Sequence, residues 1–109
     1  MTTTYKILGQ QSPAATTNVD LYTVPAITST VASTLIICNR ASNSGTFRVA
    51  ARQSGAAIAN QHYLNYDTNI PANDTIALTI GMTLAATDVI TVYSSSGSVS
   101  FSLFGSELT

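Results

Sequence analysis

At 109 residues the chain has the length of one domain built around one core, and 45% of its residues are hydrophobic, which argues against a disordered chain. Only 8% are charged, against roughly 25% in typical globular domains, so its polar surface is supplied by 17 Thr and 13 Ser. A net charge of −1 provides no field to gather DNA, RNA or anionic lipid, and the expectation is a partner that is neither nucleic acid nor membrane.

Period-two alternation runs through the chain, and no stretch holds apolar residues at helical spacing for long. The first strand is expected over Tyr5 to Leu8, closed by Gly9, and the second over Val19 to Val24, closed by Pro25. From Thr30 to Asn39 both faces are apolar toward the end, as in a central strand. Val31, Leu35 and Ile37 are assigned to one face there, and Ala32, Ile36 and Cys38 to the other. The turn cluster Arg40 to Gly45 leads to a strand over Thr46 to Gln53, with Phe47, Val49 and Ala51 inward and Arg48 and Arg52 outward, and the pair reads as a hairpin.

Ser54-Gly55 marks another turn, and Ala56 to Asn60 fits either loop or a short helical turn. His62, Leu64 and Tyr66 then alternate with Tyr63, Asn65 and Asp67. Ile70 to Asp74 is a proline turn, and Thr75 to Ile80 alternates most cleanly, with Ile76, Leu78 and Ile80 inward. Leu84 to Asp88 connects to Val89 to Tyr93, and Ser98 to Leu103 closes the series, with Val99, Phe101 and Leu103 on one face and three serines on the other. About eight short strands at this spacing predict a single all-β domain over residues 1–109, an antiparallel β-sandwich of jelly-roll or immunoglobulin-like type.

Candidate chemistry is sparse. His62 is the only imidazole, and it sits mid-strand beside Tyr63 and Tyr66 with no nucleophile in evident reach. Cys38 ends an apolar strand and reads as buried filler; being single, it forms no internal disulfide, which is compatible with a reducing compartment. Asp20, Asp67, Asp74, Asp88 and Glu107 are scattered at strand ends, as turn and capping acids are. Asn73-Asp74-Thr75 matches a glycosylation sequon, but three-residue motifs arise often by chance, and the segment reads as a turn. The expectation is no catalytic residue, no cofactor and no metal.

Arg48 and Arg52, four residues apart on one strand face, lie about 13 Å apart by strand rise. With Tyr63 and Tyr66 they form the candidate interface residues. A surface of uncharged Ser, Thr, Asn and Ala costs little desolvation or side-chain entropy to cover, and subunit interfaces are poor in Lys and Glu, of which this chain has one each, Lys6 and Glu107. The same composition fits a secreted β-domain with a Ser/Thr-rich face. The amino terminus carries no apolar signal core, so the chain is expected to mature in the cytosol.

Thr34-Leu-Ile-Ile-Cys-Asn-Arg40 followed by Thr46-Phe-Arg-Val-Ala-Ala51 resembles a pattern of small virion proteins of tailed bacteriophages. So do Ile70-Pro-Ala-Asn-Asp-Thr75, Asp88-Val-Ile-Thr-Val-Tyr-Ser94 and Val99-Ser-Phe-Ser-Leu-Phe-Gly105. With the opening Tyr5-Lys-Ile-Leu-Gly-Gln10, the likeness is strongest to proteins from phages of cyanobacteria and other marine bacteria. It spans nearly the whole chain but consists of sandwich turns rather than a chemical motif. It implies a non-enzymatic β-sandwich in the virion, a homo-oligomer made in the host cytoplasm that contacts other phage structural proteins. A capsid decoration or cement protein is the first expectation, with a tail, collar or fibre-base accessory, including a host-glycan-binding module, as the alternative.

Overall fold

The computed structural model describes residues 2–109. Eight strands are formed: β1 (Thr3–Gln11), β2 (Val19–Thr23), β3 (Ser29–Asn39), β4 (Gly45–Arg52), β5 (Tyr63–Ile70), β6 (Thr75–Leu84), β7 (Val89–Ser94) and β8 (Val99–Leu108). Two short 3₁₀ turns, Gln53–Gly55 and Asn60–His62, lie between β4 and β5. The strands make two four-stranded antiparallel sheets in the orders β1-β8-β3-β6 and β2-β7-β4-β5.

β1 pairs with β8, β2 with β7, β3 with β6 and β4 with β5, so the chain is one long antiparallel hairpin folded at the β4–β5 connection. Each limb alternates between the two sheets. That rolled order is the jelly roll, and it differs from the immunoglobulin arrangement, in which the first two strands pair within one sheet. β3 and β4 consequently lie in different sheets, and the hairpin expected of them is not formed. Asn39, fully buried at the end of β3, explains the crossing. Its amide donates to the carbonyls of Asn43, Ile70 and Pro71, and its Oδ1 accepts the Ala41 amide, so the turn is fastened across the end of the sandwich rather than along a strand edge.

Both sheets turn apolar faces inward. Leu35, Ile37, Phe101 and Leu103 from one meet Phe47, Val49, Ile90 and Val92 from the other, and the Phe47 and Phe101 rings pack edge to face at 6.3 Å. β6 and β8 alternate as expected but run longer, to Leu84 and Leu108. β1 also exceeds its expected span. Gly9 lies inside it because a Cβ there would collide with the Leu21 carbonyl, so the glycine permits a close crossing instead of ending the strand.

A bulge in β3 between Ala32 and Thr34 corrects the expected faces. Ser33 is the extra residue, and it moves every side chain before it to the opposite face. Ala32 is therefore fully buried with Leu35 and Ile37, while Val31 is 46% exposed on the outside. His62 is likewise not mid-strand: it ends the second 3₁₀ turn, is 8% exposed, and its Nδ1 accepts the Ala59 amide at 2.9 Å.

Candidate functional site

The two outer sheet faces differ in chemistry. On β2-β7-β4-β5 the Arg48 guanidinium lies 4.2 Å from the ring centroids of both Tyr66 and Tyr93. Its Nε donates to Asp67 Oδ1 at 2.7 Å and its Nη2 to Oδ2 at 3.4 Å. Tyr63 meets the Tyr66 ring edge-on at 4.8 Å. β4, β5 and β7 each supply part of this stack, and a bulge in β5 with Asp67 at φ 51° aims its carboxylate back at the arginine. The Asp67 hydrogen bond holds Arg48 above the usual arginine pKa. A planar cation with two aromatic walls and a bidentate carboxylate is rigid at little entropic cost.

Beside the stack, Asn60, Tyr63 and Tyr66 border a concavity of about 240 Å³. Arg48, Tyr63 and Tyr66 are thus brought together. Arg52 is set apart: its Nη2 donates to Asp20 Oδ1 at 2.9 Å and its Nε to Thr91 Oγ1 at 3.0 Å. Its Nη1 reaches the Gly55 and Ala56 carbonyls. That residue ties the β4–β5 connection to the sheet.

On the outer face of β1-β8-β3-β6 three cross-strand rows carry no charged side chain, and Lys6 and Arg40 lie at its margins. The register places Ile7, Phe104, Thr34 and Thr79 in one cross-strand row, Tyr5, Ser106, Val31 and Thr83 in the next, and Gln10, Ser102, Ile36 and Ala77 in a third. Tyr5 is 83% exposed, and Ile7, Val31 and Leu108 are also exposed on this sheet. A concavity of about 550 Å³ opens among Tyr5, Ile7, Val31, Ser33 and Phe104. Lys6 borders it, with its ammonium 3.3 Å from Glu107 Oε1. Cys38 lies on this outer face between Thr75 and Ser100 and is partly exposed, not the buried filler expected. Sequence reasoning missed this face because its recognition requires knowing which strands are neighbours.

Glu107 is the inner counterpart of the face. Its second oxygen accepts the Tyr22 hydroxyl, which also lies 2.8 Å from Thr30 Oγ1, so four strands are joined at one end of the sandwich. The Tyr22 hydrogen bond, and then Lys6, hold the Glu107 pKa below the ordinary carboxylate value. Burial, reinforced by Glu107, pushes Tyr22 up to about 12. The remaining acids serve turns: Asp88 accepts the Ser54 and Ala85 amides, and Asp74 accepts that of Thr75. Among the described residues no three His, Cys, Asp or Glu side chains converge as metal ligands would.

No protein-family model and no curated protein matches the chain. A chain in the structure of infectious bursal disease virus, Gx strain, is similar to it over 97% of its length at 14% identity and a TM-score of 0.47. This chain spans 30% of the length of that one.

Proposed function

We propose that this protein is a non-enzymatic structural subunit of a bacteriophage particle, a decoration or cement protein held on the capsid surface in many copies. The observation that carries the reading is the partition of charge. The cross-strand rows of one outer sheet face hold no charged side chain, with Lys6 at its margin paired to Glu107, and on the other face the charged side chains are paired: Arg48 with Asp67, and Arg52 with Asp20. A domain that works alone in water keeps free charges dispersed over its faces. Two faces without free charge lose little hydration when covered, as permanent contacts require.

The Arg48, Tyr63 and Tyr66 cluster supplies the residue types that dominate binding energy at protein interfaces. It is the surface assigned to the neighbouring virion protein, with Arg52 bracing its flank. The rolled strand order suits the reading because virus coat domains are among those that use it, and the resemblance of the turn segments points to tailed phages. Quantitative mass spectrometry of purified particles tests it. The protein is expected at a copy number that is a sizeable fraction of that of the shell protein, and its absence from the particles would refute the proposal.

The concavity at Asn60, Tyr63 and Tyr66 favours one second reading, a tail or fibre-base accessory that binds a host glycan. Glycan-array binding that disappears in a Tyr63→Ala, Tyr66→Ala double variant would support it over the decoration role.

A further inference from the structure

We infer that the outer face of β1-β8-β3-β6 is the contact between two copies of this chain, packed sheet to sheet about a twofold axis; this rests on the structural-subunit reading above. In a twofold contact each copy presents the same patch to its partner, so any charge near the axis faces a like charge. This face has none in its three cross-strand rows. Its polar groups are mainly hydroxyls, and each hydroxyl both donates and accepts, so a Ser/Thr surface is complementary to itself. A partner of different chemistry would be selected by opposite charge, and the rows of this face offer none, while Lys6 at its margin is already paired with Glu107.

The size also fits. Four strands at about 4.8 Å spacing, each about 10 residues at roughly 3.3 Å rise, make a footprint of about 600 Å² before side-chain relief is added. A standard stable interface takes about 800 Å² from each partner. The apolar groups lie within this footprint: Val31 and Phe104 occupy central strands, with Tyr5 and Ile7 beside them on β1. The facing concavities give the protruding Tyr5 of each copy a place to insert. Two twisted sheets stacked in this way pack about 10 Å apart with strands roughly 30° from parallel, as in the sandwich itself.

Sedimentation velocity on the purified full chain tests the inference. The wild type should sediment as a dimer at about 10 μM, and Val31→Lys should weaken association at least about 100-fold by placing an unpaired cation in the contact. Val31 is exposed, so its melting temperature should stay close to the parent's. Ser102→Lys, on the neighbouring strand, provides the same reading if the first variant does not fold. Leu64→Lys, exposed on β5 of the other sheet, should leave the dimer intact. A wild type that remains monomeric at about 1 mM overturns the inference, as does association that survives both charged variants on this face. A monomer found in many copies on particles would defeat the twofold contact and leave the virion role standing, whereas a dimer absent from particles would do the reverse.

Discussion

Replacing Asn39 with Ala removes one fully buried side chain and with it the Ala41 amide's acceptor and the donor to Asn43, Ile70 and Pro71. Of the groups left behind, the Ile70 carbonyl is the most deeply enclosed, and an unsatisfied buried acceptor costs about 1–3 kcal/mol. The other three lie nearer solvent and regain water in part, so a total loss of about 3 kcal/mol is expected. With an unfolding entropy of about 2.1 cal/mol/K per residue, 109 residues convert that loss into a fall in melting temperature of about 13 °C. Asn39→Asp should fall further at neutral pH: it keeps the acceptor for Ala41 but sets a carboxylate against three carbonyl oxygens. Asn43→Ala, whose side chain is exposed, should stay within about 0.5 kcal/mol of the parent. Circular dichroism melts of the three variants make the comparison. An Asn39→Ala protein melting within about 3 °C of the parent would refute the view that this residue fastens the crossing between sheets.

The Glu107 cluster should give a stability plateau with two edges. Because the folded carboxyl has a lowered pKa, its contribution is full above the unfolded value of about 4.3 and is lost as pH falls through the folded one, and Glu107→Gln should abolish that acid edge in urea titrations. Tyr22, raised to about 12, contributes fully below the unfolded value of about 10 and loses that contribution as pH rises toward 12; Tyr22→Phe should remove the alkaline edge. Arg48→Lys loses the flat stacking between Tyr66 and Tyr93 and should cost about 1 kcal/mol, with a reduced tyrosine signal in near-ultraviolet circular dichroism. Gly105→Ala should cost more than about 3 kcal/mol, because its methyl would meet the Val31 carbonyl, whereas Gly81→Ala, at φ 54° with open space around it, should cost only about 1 kcal/mol of backbone strain. Equal losses in the two glycine variants, read by chemical denaturation, would contradict that distinction.

The strands of greatest regularity were legible from alternation alone. Ile76, Leu78 and Ile80 in β6, and Val99, Phe101 and Leu103 in β8, face the core as their spacing requires, and the doubly apolar end of β3 marks a central strand. The β3 bulge was not legible, because Ser33 and Thr34 are equally at home on either face and nothing in their chemistry says which is the extra residue. The false hairpin arose from a sound tendency, since strands joined by a short turn commonly pair. Here Asn39 fastens that turn across two sheets, and a single asparagine within an Asn/Ser-rich turn gives no sign of being buried. His62 alternates with tyrosines as a strand residue would, but it closes a 3₁₀ turn that starts only at Asn60, and the alanine run before it, read as loop or helical turn, is loop from Ala56 to Ala59. Arg48, Tyr63 and Tyr66 could be named from the sequence, but Tyr93 and Asp67 join them only through the sheet order. The same holds for the outer face of β1-β8-β3-β6, which is assembled from four strands distant in sequence.

Electron microscopy of intact particles at a resolution that shows strands tests the central claim most directly, because it reads location and docking faces together. The account predicts repeated copies of an eight-stranded sandwich on the particle, with the outer face of β1-β8-β3-β6 covered by a second copy and the Arg48 and Tyr66 surface against the neighbouring virion protein. Particles that lack the sandwich, or that carry it with both outer sheet faces open to solvent, would contradict it.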